Sequence, residues 1–188
     1  MHDLQPITAL GAAEPRVDTV GTLSCHEVTT LALASVAARL GQEAACGKKL
    51  RAFLGTDAPG PAKAVLSQLY SAVWMGPEQW MIGGDDAAGE LLADIVKSKL
   101  GTTASVTEQS DAWCCFDLSG QGIVPVMELL CNINIRAMQS GDAQRTSIHH
   151  LGCFVVCGDP GGFVRILGPR ASAGSLHHAI VTAMKSAL

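Results

Sequence analysis

The sequence predicts an α+β fold, antiparallel or mixed sheets with helices packed on one face, arranged as two small lobes. Two observations carry this. Candidate strands come in pairs between single helices, which suits an antiparallel or mixed sheet better than a doubly wound nucleotide fold. The unit strand, helix, strand, strand also recurs, once from Val28 and once from Ala112, without recognisable side-chain identity between the halves.

Residues 1–21 mix Pro6, Gly11 and Pro15 with small residues and hold no period, which reads as an N-terminal arm outside the domain formed by 22–188. Val28 to Ala37 is rich in Val, Thr, Leu and Ala and predicts a strand. A helix follows from Gly41 to about Gly55. The run Gly55-Thr-Asp-Ala-Pro-Gly-Pro61 stops it and marks a loop or a lobe boundary near 55–61.

Tyr70 to Trp74 and Gln79 to Ile82 predict a hairpin turning at Gly76-Pro77-Glu78. Asp85 or Asp86 is placed to cap a helix whose apolar stripe is Ala87, Leu91, Leu92, Ile95 and Val96, ending near Gly101. Strands follow at Thr102 to Gln109 and Ala112 to Leu118. In the second, Cys114, Phe116 and Leu118 alternate with Trp113, Cys115 and Asp117. A helix spans about Gly122 to Ile133, with Pro125 tolerable only in its first turn. Strands lie within Arg145 to Cys157 and Phe163 to Leu167 around the turn Gly158-Asp-Pro-Gly-Gly162. The closing helix, Ala173 to Ala187, carries Leu176, Ile180 and Met184 on one side.

Composition narrows the function. Of 188 residues 48% are apolar, enough for the core of one good-sized domain or two lobes. The net charge is −4 and the thirteen Lys and Arg are scattered, so nucleic acid is not an expected partner. No apolar run reaches the roughly 20 residues of a membrane-spanning helix, and Met1 to Pro15 has no leader pattern, so no membrane role and a cytoplasmic location are expected. Seven cysteines, mostly in apolar segments, suit reduced thiols.

Metal chemistry is disfavoured by spacing. Adjacent strand residues point to opposite faces, so neither Cys114-Cys115 nor His149-His150 offers two ligands to one site, and Cys153 with Cys157 forms no C-x-x-C knuckle. Nothing marks a thiol of lowered pKa. No phosphate-binding glycine motif is present; Gly158-Asp-Pro-Gly-Gly162 is explained as a turn. No catalytic, cofactor-binding or metal residue is therefore assigned.

The candidate structural or interface residues are Trp74, Gly76, Pro77 and Trp80, where two tryptophans flank a Gly-Pro turn, together with Arg145 and Arg170. The tryptophans fit core packing, a cross-strand pair or a partner contact. The arginines are carboxylate ligands or solvated ends of a strand and a helix.

Trp74-Met-Gly-Pro-Glu-Gln-Trp80-Met-Ile resembles the W-x-G-P-x-x-W-L signature of the gamma subunit of heterotetrameric sarcosine oxidases. Leu33-Ala-Ser-Val-Ala-Ala-Arg39, Leu118-Ser-Gly120, Arg145-Thr146 and Arg170-Ala-Ser-Ala-Gly-Ser-Leu176-His177 resemble further motifs of that family, in its order. Gln121-Gly122 replaces its usual proline, and Ser172 and His177 stand where large aromatics are usual.

The resemblance implies a relative of the folate-binding aminomethyltransferase fold. It further implies a non-catalytic subunit, partnered by alpha, beta and delta chains, in a complex that demethylates sarcosine oxidatively. Glycine and hydrogen peroxide are that complex's products, and the one-carbon unit passes to tetrahydrofolate. FAD, FMN, NAD and zinc would belong to the other chains. The alternatives are a stand-alone folate-binding aminomethyltransferase-like protein and a sister complex acting on another N-methyl amino acid.

Overall fold

The computed structural model describes residues 6–67, 69–85 and 91–187. In chain order the elements are β1 (Val17–Val20), β2 (Leu23–Val28), β3 (Leu31–Ala38), α1 (Glu43–Leu54), β4 (Ala64–Val65), β5 (Tyr70–Gly76) and β6 (Gln79–Asp85). There follow α2 (Leu92–Leu100), β7 (Ala104–Glu108), β8 (Trp113–Gly120), α3 (Ile123–Leu130), β9 (Ala143–Ile148), β10 (Leu151–Asp159), β11 (Phe163–Pro169) and α4 (Ala173–Ala187). The chain forms two compact units, one of Met1–Thr29 with Ala112–Leu188 and one of Thr30–Asp111.

Both units are antiparallel sheets with two helices, the predicted α+β class, and both use one strand order. The unit of Thr30–Asp111, inner in chain order only, runs β4-β5-β6-β3-β7, and the other, outer in chain order, runs β9-β10-β11-β8-β2-β1. In chain order β3-α1-β4-β5-β6-α2 corresponds to β8-α3-β9-β10-β11-α4. The last strand of the inner pattern is β7; in the outer unit β2, from the N-terminal part of the chain, takes its place. This is the recurrence visible in the element pattern, a split βαβ arrangement made twice.

Each sheet buries one face beneath its helices. In the outer unit Leu23, Cys25, Phe116, Leu118, Val155 and Ile166 pack with Ile123, Val126 and Met127 of α3 and Leu176, Ile180 and Met184 of α4. In the inner unit Ala34, Val36, Trp80 and Ile82 pack with Cys46, Leu50 and Leu54 of α1 and Leu92, Val96 and Leu100 of α2. The stripe predicted for α2 holds for Leu92 and Val96, whereas Leu91 is exposed; Ala87 lies outside the described residues.

Two glycines explain close approaches. Gly120, closing the Leu-Ser-Gly motif, has φ +112, and a Cβ there would lie 2.0 Å from the Thr22 carbonyl oxygen, so no other residue fits beside β2. At Gly168 a Cβ would lie 2.4 Å from Leu176 Cδ2; its absence lets α4 settle onto β11.

Several boundaries differ from expectation. Within the segment expected as an arm, the described residues 6–21 are not detached from the outer unit. Val17–Val20 pairs with Leu23–Val28 at the edge of the outer sheet, and Ala9 and Leu10 pack on its core. A four-residue edge strand of mixed exposure leaves no period to read. The predicted strand Val28 to Ala37 is two strands, parted at Thr29 and Thr30 where the chain leaves one sheet for the other. The 55–61 loop lies inside the inner unit, joining α1 to β4, and the unit boundaries fall at 29/30 and 111/112.

The α2 cap also differs. Asp85 ends β6, Asp86 lies outside the described residues, and the N-cap residue Leu91 offers no side-chain bond. Glu108 of β7 serves instead. Its Oε2 accepts the Ala93 N–H at 3.0 Å, and its Oε1 accepts the N–H groups of Gln109 and Ser110 and the Ser110 hydroxyl. Burial pushes this carboxyl pKa up, but the hydrogen bonds outweigh it and hold the group below its ordinary value.

A carboxylate depressed in the folded state contributes stability above its unfolded pKa, and that contribution is lost as pH falls through the folded value. Glu108→Gln is accordingly expected to cost about 0.5–1 kcal/mol at pH 7 after solvent screening. The gap should close below about pH 4. Urea unfolding across that range checks this, and a gap constant from pH 7 to pH 3 would rule out a charged cap.

Candidate functional site

The Gly-Pro turn joins β5 to β6 and sets Trp74 directly opposite Trp80. The register shifts between Trp74 and Gly76, making Met75 an extra residue on β5. Pro77 and Glu78 form the turn, with Glu78 in the left-handed region at φ 56. Trp80 is 7% exposed within the inner core, and its indole N–H donates to the Pro59 carbonyl at 2.9 Å. The proline-rich loop is thereby fastened to β6. Trp74 is half-buried at the edge of the same cluster.

Arg145 and Arg170 belong to the outer unit and are not brought to the tryptophans by the inner sheet. Arg145, exposed on β9, lies over the Phe154 ring at 5.8 Å, and that ring packs against Trp113 at 5.7 Å. Arg170 donates from Nη2 to the Ile7 carbonyl at 3.1 Å, while its backbone N–H donates to Ala112. It fastens the N-terminal segment beside the start of α4. Of the six residues selected from sequence, four thus gather in one hairpin and two serve separate places in the other unit.

Sequence reasoning missed the polar ties of the outer unit. Asp18 on β1 meets Nε2 of His177 at 2.8 Å and Nε of Arg16 at 2.8 Å. The bond from Arg16 is the main cause that holds the Asp18 carboxyl below its usual range; burial opposes it and His177 assists. The His177 ring also packs on Phe116 at 5.6 Å, so at this position of the motif an imidazole keeps an aromatic contact and adds a bond to β1. Asp117 and Arg165, directly opposed on β8 and β11, form a bidentate ion pair at 2.7 and 2.8 Å. Only knowledge of strand register could have paired them.

The thiols are poorly suited to nucleophilic work. Burial pushes Cys25 up to about 12 and Cys114 and Cys153 up to about 11, and it also raises Cys115. Among the described residues no three His, Cys, Asp or Glu side chains gather as a metal site. Nor, among those residues, is any helix long and apolar enough to cross a membrane. Open pockets lie among the described residues of each unit. One, of about 340 Å³ in the inner unit, is bounded by Lys49, Lys99 and the stacked pair Phe53 and Tyr70; the other, of about 430 Å³, lies on the helical side of the outer unit.

No protein-family profile matches the chain, and no curated protein is detectably similar in sequence. Solved structures are similar in fold. A chain of the heterotetrameric sarcosine oxidase from Corynebacterium sp. U-96 matches with TM-score 0.71 at 18% identity, over 87% of this chain and 84% of that one. The glycine cleavage system aminomethyltransferase T from Bartonella henselae matches with TM-score 0.58 at 10% identity. That match covers 82% of this chain, which spans less than half of the aminomethyltransferase, 44%. The chain has the fold shared by this sarcosine oxidase chain and the aminomethyltransferase.

Proposed function

We propose that the chain is a non-catalytic gamma subunit of a heterotetrameric, sarcosine oxidase-type complex, supporting the assembly of a flavoenzyme. The observation that carries this is the structural likeness to a chain of such an oxidase over most of both chains. The ordered motifs from Leu33 to His177 support it, as do thiols raised by burial beyond useful reactivity. In this role the chain works in the cytoplasm with alpha, beta and delta partners. Those partners carry FAD, FMN, NAD and zinc and hand the one-carbon unit to tetrahydrofolate. The substrate is sarcosine or, in a sister complex, another N-methyl amino acid.

Affinity capture of the tagged chain from its native cell tests the proposal. Three co-eluting polypeptides with flavin absorbance are expected. A colourless lone monomer would overturn it. Tetrahydrofolate binding by that monomer, measured by calorimetry, would establish the stand-alone folate-binding alternative, which the aminomethyltransferase likeness supports.

A further inference from the structure

The pocket on the helical side of the outer unit has a wall pattern that packing alone does not require. Along α4, His178, Thr182 and Ser186 recur at four-residue spacing as a polar ridge, with Ala179 and Ala183 beside them as a low floor. Leu129 and Leu130 of α3 contribute apolar side chains, Leu129 being 60% exposed. His149, from the turn between β9 and β10, completes the lining of a cavity of about 430 Å³.

That turn is built from unusual residues. Ile148 pairs with Leu151, so His149 and His150 are the whole connection, and both take positive φ, 49 and 66. A two-residue turn with both φ values positive is ordinarily made by Asn-Gly, because side chains with a Cβ are strained there. Backbone strain that a simpler residue pair would relieve is commonly found where a side chain is put to use.

The polar lining favours an anion. No acidic side chain lines the pocket among the described residues, while two exposed imidazoles do. The neighbouring ionisable groups on the same elements are Glu128, engaged by Arg136 at 2.6 and 3.0 Å, then His150, Lys185 and His177, the last bonded to Asp18.

We propose that this pocket binds a small amphipathic carboxylate, its head group between His149 and His178 with the Thr182 hydroxyl one turn along α4, and its tail along Leu129, Leu130, Ala179 and Ala183. The volume suits an acid of about ten non-hydrogen atoms. The proposal is independent of the subunit reading.

Octanoate and its neutral counterpart octanol are the probes, titrated by calorimetry into the full chain in the assembly in which it is isolated. Octanoate is expected to bind with Kd on the order of 1 mM or below at pH 5.5, about tenfold more tightly than octanol. Combining His149→Asn, His150→Gly and His178→Gln should abolish the preference for octanoate over octanol. His149→Asn with His150→Gly alone should raise Tm by about 2–6 °C while weakening octanoate at pH 5.5, which separates lost binding from lost folding. Octanol binding as tightly as octanoate at pH 5.5, no saturable octanoate binding up to about 10 mM, or an unchanged preference for octanoate in the triple variant would each overturn the proposal.

Discussion

Trp80→Ala is expected to destabilise the inner unit by about 3–5 kcal/mol, the range for deleting a buried large aromatic side chain. Trp80 stands opposite Val36 of β3 and Trp74 of β5, is 7% exposed, and belongs to the cluster that α1 and α2 cover. Truncation would leave a cavity between sheet and helices. It would also strand the Pro59 carbonyl, which adds the loss of one hydrogen bond, about 1 kcal/mol.

Trp80→Phe keeps most of the volume without the N–H and should cost less. Trp74→Ala, at the half-buried member, should cost about 1–2 kcal/mol. Urea unfolding gives the magnitudes, and hydrogen exchange of β5 and β6 amides localises them. Equal losses at the two tryptophans, or a Trp80→Ala loss below about 1 kcal/mol, would show that the hairpin is not anchored as described.

The same hairpin shows why part of the fold was legible in sequence. Its two apolar strands flank a Gly-Pro turn, and α4 has an apolar stripe that matches its buried residues Leu176, Ile180 and Met184. Such elements announce themselves because local pattern and burial agree. Where they part, the sequence is silent. His149 and His150 carry no turn chemistry, so β9 and β10 read as one stretch. Glu108 caps a helix that begins 16 residues before it, and Asp117 meets Arg165 only through strand register. The candidate site was half legible for the same reason: a motif can mark Trp74 and Trp80, but not that Trp80 reaches back to Pro59.

Glu27 shows the limit most sharply, and its removal is the second large effect expected. It follows His26 on β2 as an ordinary acidic residue, yet it is 1% exposed and stands on the helix-covered face with Leu23 and Cys25. A buried carboxylate persists only when hydrogen-bonded. Here Oε1 accepts the Leu10 N–H at 2.9 Å and Oε2 the Arg16 N–H at 3.1 Å, so one side chain holds both ends of the segment leading into β1. That segment adds its own turn, Thr8 and Ala12 bonding each other through backbone and hydroxyl.

Glu27→Leu conserves bulk but leaves two N–H donors without acceptors, each costing about 1–3 kcal/mol, so a loss of about 2–4 kcal/mol is expected. Glu27→Gln keeps one carbonyl oxygen and should lose roughly half as much. Because the bonds hold a segment to the body, the effect should be local before it is global. Trypsin cleavage after Arg16 in the native state should then accelerate about thirtyfold or more in Glu27→Leu, since each 1.4 kcal/mol of easier opening is about tenfold in the open population. Unchanged cleavage would mean that Arg170 on Ile7 and the pairing of β1 with β2 suffice to hold the segment, leaving the buried carboxylate without the tethering role assigned to it.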